Sequence, residues 1–216
     1  MPTVVDTVVL HYFLVVDRAP LLLDLLDPPV GVPRIVFDPD DESSSDVAVS
    51  ELRKNIRHEE RVARSAGFDE GDDLPRELKE AKAVAETRVA RLRSFVDIVS
   101  EGRVQVVDLN EDEWELVGRL TAREPDPSLD IMIGIDDGEA ACLAIAVERG
   151  WVLATDDQDA LRVLDGIAPG HPYERIRRLL VRAANDGLIS RSEANLIHRD
   201  MRRAGFWDRD VPFPDE

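Results

Sequence analysis

Residues 138–164 read GEAACLAIAVERGWVLATDDQDALRVL and contain the clearest structural signal in the 216-residue chain. The alanine-rich apolar stretch 138–149 predicts a buried helix, and Gly150 suits the tight turn after it. The apolar run 151–155 predicts a strand, which is followed by two aspartates and a second helical pattern. A strand between two helices is typical of an α/β fold with a parallel sheet.

The same alternation extends along most of the chain. Further strands are predicted at residues 3–5, 30–37 and 104–109. Residues 42–101 show helical periodicity and predict a helical insertion, and residues 172–205 predict a C-terminal pair of helices. The prediction is a single three-layer α/β/α domain over residues 1–216, with a central parallel sheet of about four or five strands.

Composition narrows the class of protein. Apolar residues make up 44% of the chain and charged residues 33%, which is typical of a globular protein. Because Cys142 is the single cysteine and lies in an apolar run, we expect it in the core of a cytoplasmic protein without disulfides. No segment is both long and apolar enough to span a bilayer, so we expect no membrane contact.

The net charge of −18 argues against a general nucleic-acid-binding protein, because lysine and arginine contacts to phosphate dominate such binding. The charge is unevenly distributed, since residues 173–203 contain eight arginines and four acidic residues. Arg175, Arg178 and Arg182 share one helical face by their spacing, and they are candidates for contacts with an RNA backbone. The alternative is a solvated face that balances the acidic body.

Acidic residues stand where the predicted strands end or a helix begins, and they are Asp6, Asp38, Glu139, Asp156 and Asp157. In an open α/β sheet, ligands bind beyond the carboxyl ends of the strands, so we expect these carboxylates to converge on one crevice. Carboxylate oxygens suit Mg²⁺ or Mn²⁺, whereas the thiolate and imidazole ligands that favour zinc are scarce here. The sequence therefore predicts a divalent metal pocket.

Each acid also has a structural alternative. Asp6 and Asp157 stand where helix N-caps are expected, and Glu139 lies in a first turn, where the helix dipole favours a carboxylate. A receiver-like or degenerate interaction module, whose acids only cap helices, is therefore the competing function. Phosphoryl transfer on a small molecule is disfavoured, because the first strand lacks an Asp-x-Asp motif and the chain has no glycine-rich phosphate loop.

Three blocks of sequence stand out together, and they are Val4-Val5-Asp6-Thr7, Gly138-Glu139-Ala140-Ala141 and Leu153-Ala154-Thr155-Asp156-Asp157. In order and spacing they resemble the blocks of PIN-domain ribonucleases, the fold of VapC-like toxins. Residues 186–190 also resemble the C-terminal end of a PIN subgroup. The resemblance covers most of residues 3–38 and 104–205, while residues 42–101 have no counterpart in compact members.

The resemblance implies an endoribonuclease in which a Mg²⁺- or Mn²⁺-activated water attacks an RNA phosphodiester. By position it assigns catalytic roles to Asp6, Asp38, Glu139 and Asp157 and metal ligation to Asp6, Glu139, Asp156 and Asp157, with Thr7 and Thr155 as supporting side chains. The family usually places a Glu after the second strand, where this chain offers Asp38, with Asp40 in reserve. The resemblance also implies a toxin neutralised by a small antitoxin protein, and a homodimer. A non-catalytic PIN-like module is the alternative.

Overall fold

Parallel strands form the centre of the molecule. The computed structural model describes residues 1–38, 50–65, 76–122, 135–208 and 213. Its sheet has the strand order β3-β2-β1-β4-β5, and every neighbouring pair is parallel. The strands are β1 (Thr3–Val5), β2 (Val30–Pro33), β3 (Gln105–Val107), β4 (Val152–Ala154) and β5 (Tyr173–Glu174). The predicted α/β fold with a central parallel sheet is confirmed, and it is compatible with three α/β/α layers.

Helices connect the strands, and two more helices come after the last strand in the chain. They are α1 (Thr7–Val15), α2 (Ala19–Leu25), α3 (Glu51–Ser65), α4 (Arg76–Arg93), α5 (Phe95–Ser100), α6 (Glu111–Leu120), α7 (Asp137–Arg149), α8 (Gln158–Ile167), α9 (Ile176–Asn185) and α10 (Arg191–Arg203). Within the described part of the chain, no helix is long and apolar enough to cross a membrane.

The strand order creates a reversal at the centre of the sheet. The chain passes from β1 outward to β2 and β3, and then returns to the other side of β1 for β4 and β5. Ligands of open α/β sheets bind at such a reversal, beyond the carboxyl ends of the strands. The crevice beyond β1 and β4 is therefore where the fold itself favours a site.

Helix α7 packs in the core, against β1, β2 and β4. Its side chains are small enough for close approach to the sheet, and Ala140, Ala141 and Ala144 have no exposed surface. Cys142 is 1% exposed and lies in the core, as predicted. This packing fixes the start of α7 at the carboxyl edge of the sheet.

The helices predicted as an insertion are joined to the rest of the fold at several points. The backbone N–H of Leu52 in α3 donates to the Val36 carbonyl just after β2 (3.0 Å). Helix α4 packs against both α3 and α1, and Arg91 Nη1 donates to the Val15 carbonyl at the end of α1 (2.6 Å). The helical pair α3–α4 therefore supports α1 directly.

Several predicted boundaries differ from the structure. The strand predicted over residues 30–37 ends at Pro33, because proline cannot continue the ladder of a central strand. Within the helical insertion predicted over residues 42–101, a break at Ser94 separates α4 from α5, and residues 42–49 and 66–75 lie outside the described residues. Strand β5 was not predicted, since two residues are too few to show an alternating pattern.

The replacement Gly31→Ala tests how tightly the central strands pack. A Cβ at Gly31 would lie 2.6 Å from the Trp151 ring and 2.9 Å from a Val107 methyl group, so we expect a loss of about 1–3 kcal/mol in the free energy of unfolding. Urea unfolding measures it. Gly118→Ala in α6 is the control, because its Cβ would meet nothing within 4 Å and alanine favours a helix. Equal effects of the two changes would contradict the packing argument.

Candidate metal centre at the carboxyl edge of the sheet

The ends of β1 and β4 are joined through Asp6. The Asp6 N–H donates to the Ala154 carbonyl (3.0 Å), and the Thr155 hydroxyl donates to Asp6 Oδ2 (2.7 Å). Asp6 is 3% exposed and Thr155 is 1% exposed. The first predicted acid therefore lies buried in the crevice where the strand order reverses, and the predicted supporting role of Thr155 has a direct contact.

Three predicted acids lie at helix starts. Asp6 Oδ1 accepts from the Thr7 N–H at the start of α1 (2.6 Å), and Asp157 Oδ1 accepts from Asp159 and Ala160 N–H groups at the start of α8 (2.7 and 2.8 Å). Glu139 accepts from a backbone N–H just before α7 (3.3 Å). Helix capping is thus present, but each carboxylate has further lone pairs for another partner.

Glu51 is a site residue that the sequence analysis did not identify. It opens α3, and its carboxylate accepts a hydrogen bond from the Thr7 hydroxyl. It also lies against the start of α7, where a Cβ at Gly138 would collide with it. The available signal was a Glu at the start of an amphipathic helix after the second strand, but residues 34–50 separate Glu51 from that strand in sequence.

Burial and mutual repulsion perturb two of these carboxyl groups. Burial is the main cause that raises the pKa of Asp6 to about 7. The hydrogen bonds from Thr155 and Thr7 oppose this shift, and the charges of Glu51 and Asp157 add to it. Burial also raises the pKa of Glu139 to about 8, with added repulsion from Asp157 and Asp6. Asp6, Glu51, Glu139 and Asp157 therefore act on one another as one acidic cluster.

The acidic cluster is not a ready-made cage for a cation. Among the described residues, no three or more His, Cys, Asp or Glu side chains are close enough together to hold a metal ion as they stand. The donors are nevertheless carboxylate oxygens, which suit Mg²⁺ or Mn²⁺. Two of the four prefer to keep a proton near neutral pH unless a positive charge approaches.

Asp38 has a cationic partner of its own. Its Oδ1 accepts from Arg34 Nη1 (2.9 Å), and Arg34 Nε also donates to Asp108 (2.6 Å). Asp38 lines an open cleft of about 650 Å³ that reaches Glu51. The structure thus brings Glu51, rather than Asp38, into contact with Thr7 beside Asp6. The reserve candidate Asp40 lies outside the described residues.

Asp156 has different hydrogen-bond partners from its neighbour Asp157. Its Oδ1 accepts from Arg175 Nε (2.9 Å) and its Oδ2 from the Ile176 N–H (2.5 Å), both at the start of α9. Burial raises the pKa of Asp156, and the Ile176 N–H and the Arg175 charge oppose that shift. The structure therefore uses Asp156, a predicted metal ligand, to hold α9.

The three arginines predicted to contact RNA have different surroundings. Arg182 donates to Glu174 (2.6 Å) and to the Leu25 carbonyl, so it ties α9 to α2. Arg178 donates to the Tyr173 carbonyl (3.2 Å). Only Arg175 is bound to a residue next to the acidic cluster.

Comparisons with family models, with curated proteins and with solved structures found no match to this chain. The PIN resemblance therefore rests on the three sequence blocks and on residues 186–190 alone.

The raised pKa values predict that the metal-free protein loses stability as the pH rises. A carboxyl group with a higher pKa in the folded chain binds its proton more tightly there. Its stabilisation is complete below the ordinary values of 3.8 and 4.5, and it is lost as the pH rises through about 7 for Asp6 and about 8 for Glu139. We expect the free energy of unfolding to fall by up to about 1.4 kcal/mol per pH unit for each group.

Urea unfolding in EDTA, at intervals across this pH range, measures the loss. Asp6→Asn should flatten the pH dependence, because it removes one titrating group and one charge that repels Glu139. Asp165→Asn, at an exposed position of α8, is the matched control and should leave the wild-type slope unchanged. Identical slopes in wild type and Asp6→Asn would show that the acidic cluster does not control stability.

Thr155→Val tests the hydrogen bond that positions Asp6. The change keeps a β-branched shape but removes the hydroxyl, so we expect the pKa of Asp6 to rise further and stability to fall by about 1–3 kcal/mol. Carboxyl NMR titration and urea unfolding measure the two effects. Thr155→Ser keeps the donor and should preserve the Asp6 pKa. An unchanged Asp6 pKa in Thr155→Val would rule out this role.

Proposed function

We propose that this protein is a metal-dependent endoribonuclease with a PIN-like fold, acting on RNA phosphodiester bonds. The observation that carries the proposal is the acidic cluster of Asp6, Glu51, Glu139 and Asp157 at the reversal point of the sheet. Unit charges about 4 Å apart repel by about 4 kcal/mol at an effective dielectric near 20, so such a cluster favours a proton or a cation. The reaction and the RNA substrate come from the resemblance in sequence.

Asp6, Glu51, Glu139 and Asp157 would hold the metal, with Glu51 in the position predicted for Asp38. A bound Mg²⁺ or Mn²⁺ ion supplies a water of lowered pKa and positive charge for the leaving oxygen. Thr155 and Thr7 orient Asp6 and Glu51 by hydrogen bonds from their hydroxyl groups. Because Asp6 and Glu139 hold protons near neutral pH, cation binding is expected to release them.

The cleft that reaches Glu51 borders the acidic cluster, because Glu51 is one of its lining residues. It is open to solvent, has a volume of about 650 Å³, and is lined by Arg34, Lys54 and the exposed ring of Trp114 among others. The resemblance extends the proposal to a toxin with a small antitoxin partner and to a homodimer.

A non-catalytic interaction module is the second candidate. It is favoured by the hydrogen bonds that Asp6, Glu139 and Asp157 accept at helix starts, which give each acid a structural role. The two candidates differ in their response to Mn²⁺. A metal site is stabilised by about 2.7 kcal/mol at a cation concentration 100 times the Kd, whereas helix caps alone give no such gain.

Substitutions in the acidic cluster test the nuclease proposal. We expect Asp6→Asn, Glu51→Gln and Asp157→Asn each to lower Mn²⁺-dependent cleavage of a single-stranded RNA more than about a hundredfold, because each removes a metal ligand and keeps the side-chain shape. Circular dichroism and urea unfolding confirm that the variants fold. Cleavage rates of a labelled oligonucleotide give the readout.

Two further variants make the test specific. Asp165→Asn, on the exposed side of α8, should cleave like the wild type. Asp38→Asn compares the two candidates for the remaining acidic position, and we expect a larger loss in Glu51→Gln than in Asp38→Asn. Wild-type cleavage in both Asp6→Asn and Asp157→Asn, or no Mn²⁺-dependent stabilisation of the wild type, would refute the nuclease proposal.

A further inference from the structure

Asp156 and Arg175 form a unit at the border of the acidic cluster. The Asp156 side chain is 5% exposed, and it holds Arg175, whose side chain is 39% exposed. A buried carboxylate is costly unless it is paired, so this contact fixes the arginine more firmly than a surface ion pair would. Asp156 also accepts a hydrogen bond from the backbone N–H of Ile176, the residue after Arg175, and this bond holds the backbone beside Arg175 in place.

Strand pairing places this unit close to Asp6. The Thr155 N–H donates to the Glu174 carbonyl (3.1 Å), so Arg175 follows β5 directly beside the end of β4. Thr155 in turn donates its hydroxyl to Asp6. If the scissile phosphate of the RNA lay at the acidic cluster, a neighbouring phosphate would therefore lie within reach of the long Arg175 side chain.

The geometry of the hydrogen bond leaves the anion-binding part of Arg175 available. The bond uses Nε, on one edge of the guanidinium group, and the two Nη nitrogens carry the donors that bind phosphate in a bidentate manner. No hydrogen bond from these Nη donors to another residue is found in the described part of the chain. Arg182, in contrast, donates through both Nη atoms to the protein itself.

We propose that Arg175 binds a backbone phosphate of the RNA beside the scissile bond, and that Asp156 is a positioning residue that holds Arg175 for this contact. This inference rests on the proposed function and names the part of the substrate that the rim of the site recognises. It also gives the two adjacent aspartates different tasks, since Asp157 belongs to the acidic cluster and Asp156 serves the arginine.

Salt-dependent RNA binding tests the phosphate contact. Binding of a labelled single-stranded RNA is measured in the cleavage-inactive Asp6→Asn background with Mn²⁺, over a series of NaCl concentrations. We expect Arg175→Ala to weaken binding about tenfold, and to reduce the slope of log K against log salt by about 0.7, the value for one phosphate contact on a single strand. Arg203→Ala, which removes an arginine paired with Asp200 on α10, should leave the slope unchanged.

Two further measurements separate positioning from a structural role. Asp156→Ala should weaken binding alone but add nothing in the Arg175→Ala background, whereas a structural role of Asp156 would add to it. In the cleaving protein, Arg175→Ala should raise KM and leave kcat nearly unchanged, and Arg175→Lys should restore the salt slope. Arg175→Lys tests the phosphate contact itself even where Asp156→Ala fails to fold.

The outcomes distinguish the two proposals. RNA binding with an unchanged salt slope in Arg175→Ala would overturn the role of Arg175, while Mn²⁺-dependent cleavage by the wild type would leave the nuclease proposal standing. Additive losses in the double variant would overturn the positioning role of Asp156. Absence of both RNA binding and cleavage in the wild type would overturn the nuclease proposal and this inference together.

Discussion

The hydrogen bond from the Thr155 hydroxyl to Asp6 is the contact on which the candidate site depends. It joins residues 149 positions apart in sequence, and it can form only because β1 and β4 are neighbours in register. The same hydroxyl accepts from the Asp157 N–H (3.1 Å), so one threonine orients the acids that follow both central strands. The convergence of the acidic cluster is therefore a direct result of strand order.

Two opposing electrostatic effects meet at this crevice. The starts of α1, α7 and α8 favour negative charge, and each contributes about 0.3–1 kcal/mol to a nearby carboxylate. Burial and mutual repulsion act in the other direction and are larger, as the raised pKa values of Asp6 and Glu139 indicate. The helix starts therefore fix the direction of the carboxylates but cannot compensate their charge, which leaves a demand for a proton or a cation.

The sequence predicted the parts of the fold that have strong local patterns. Strands β1 and β4 and helices α7 and α8 were recognisable because apolar runs end at Asp or Gly. Glu51 was not, since its place beside Thr7 depends on how α3 returns to the sheet edge. Asp156 and Asp157 were both predicted as metal ligands, and only the structure shows that Asp156 accepts hydrogen bonds from Arg175 and Ile176.

The helical pair α3–α4 contacts α1 at both its N-terminal and its C-terminal end. Glu51 binds the first residue of α1 through the Thr7 hydroxyl, and Arg91 binds the final residue through the Val15 carbonyl. Deleting α3 and α4 would remove Glu51 from the acidic cluster and would also remove both contacts that hold α1. Helices α3 and α4 therefore support the acidic cluster as well as α1, and a chain shortened by both helices would lose part of the candidate site.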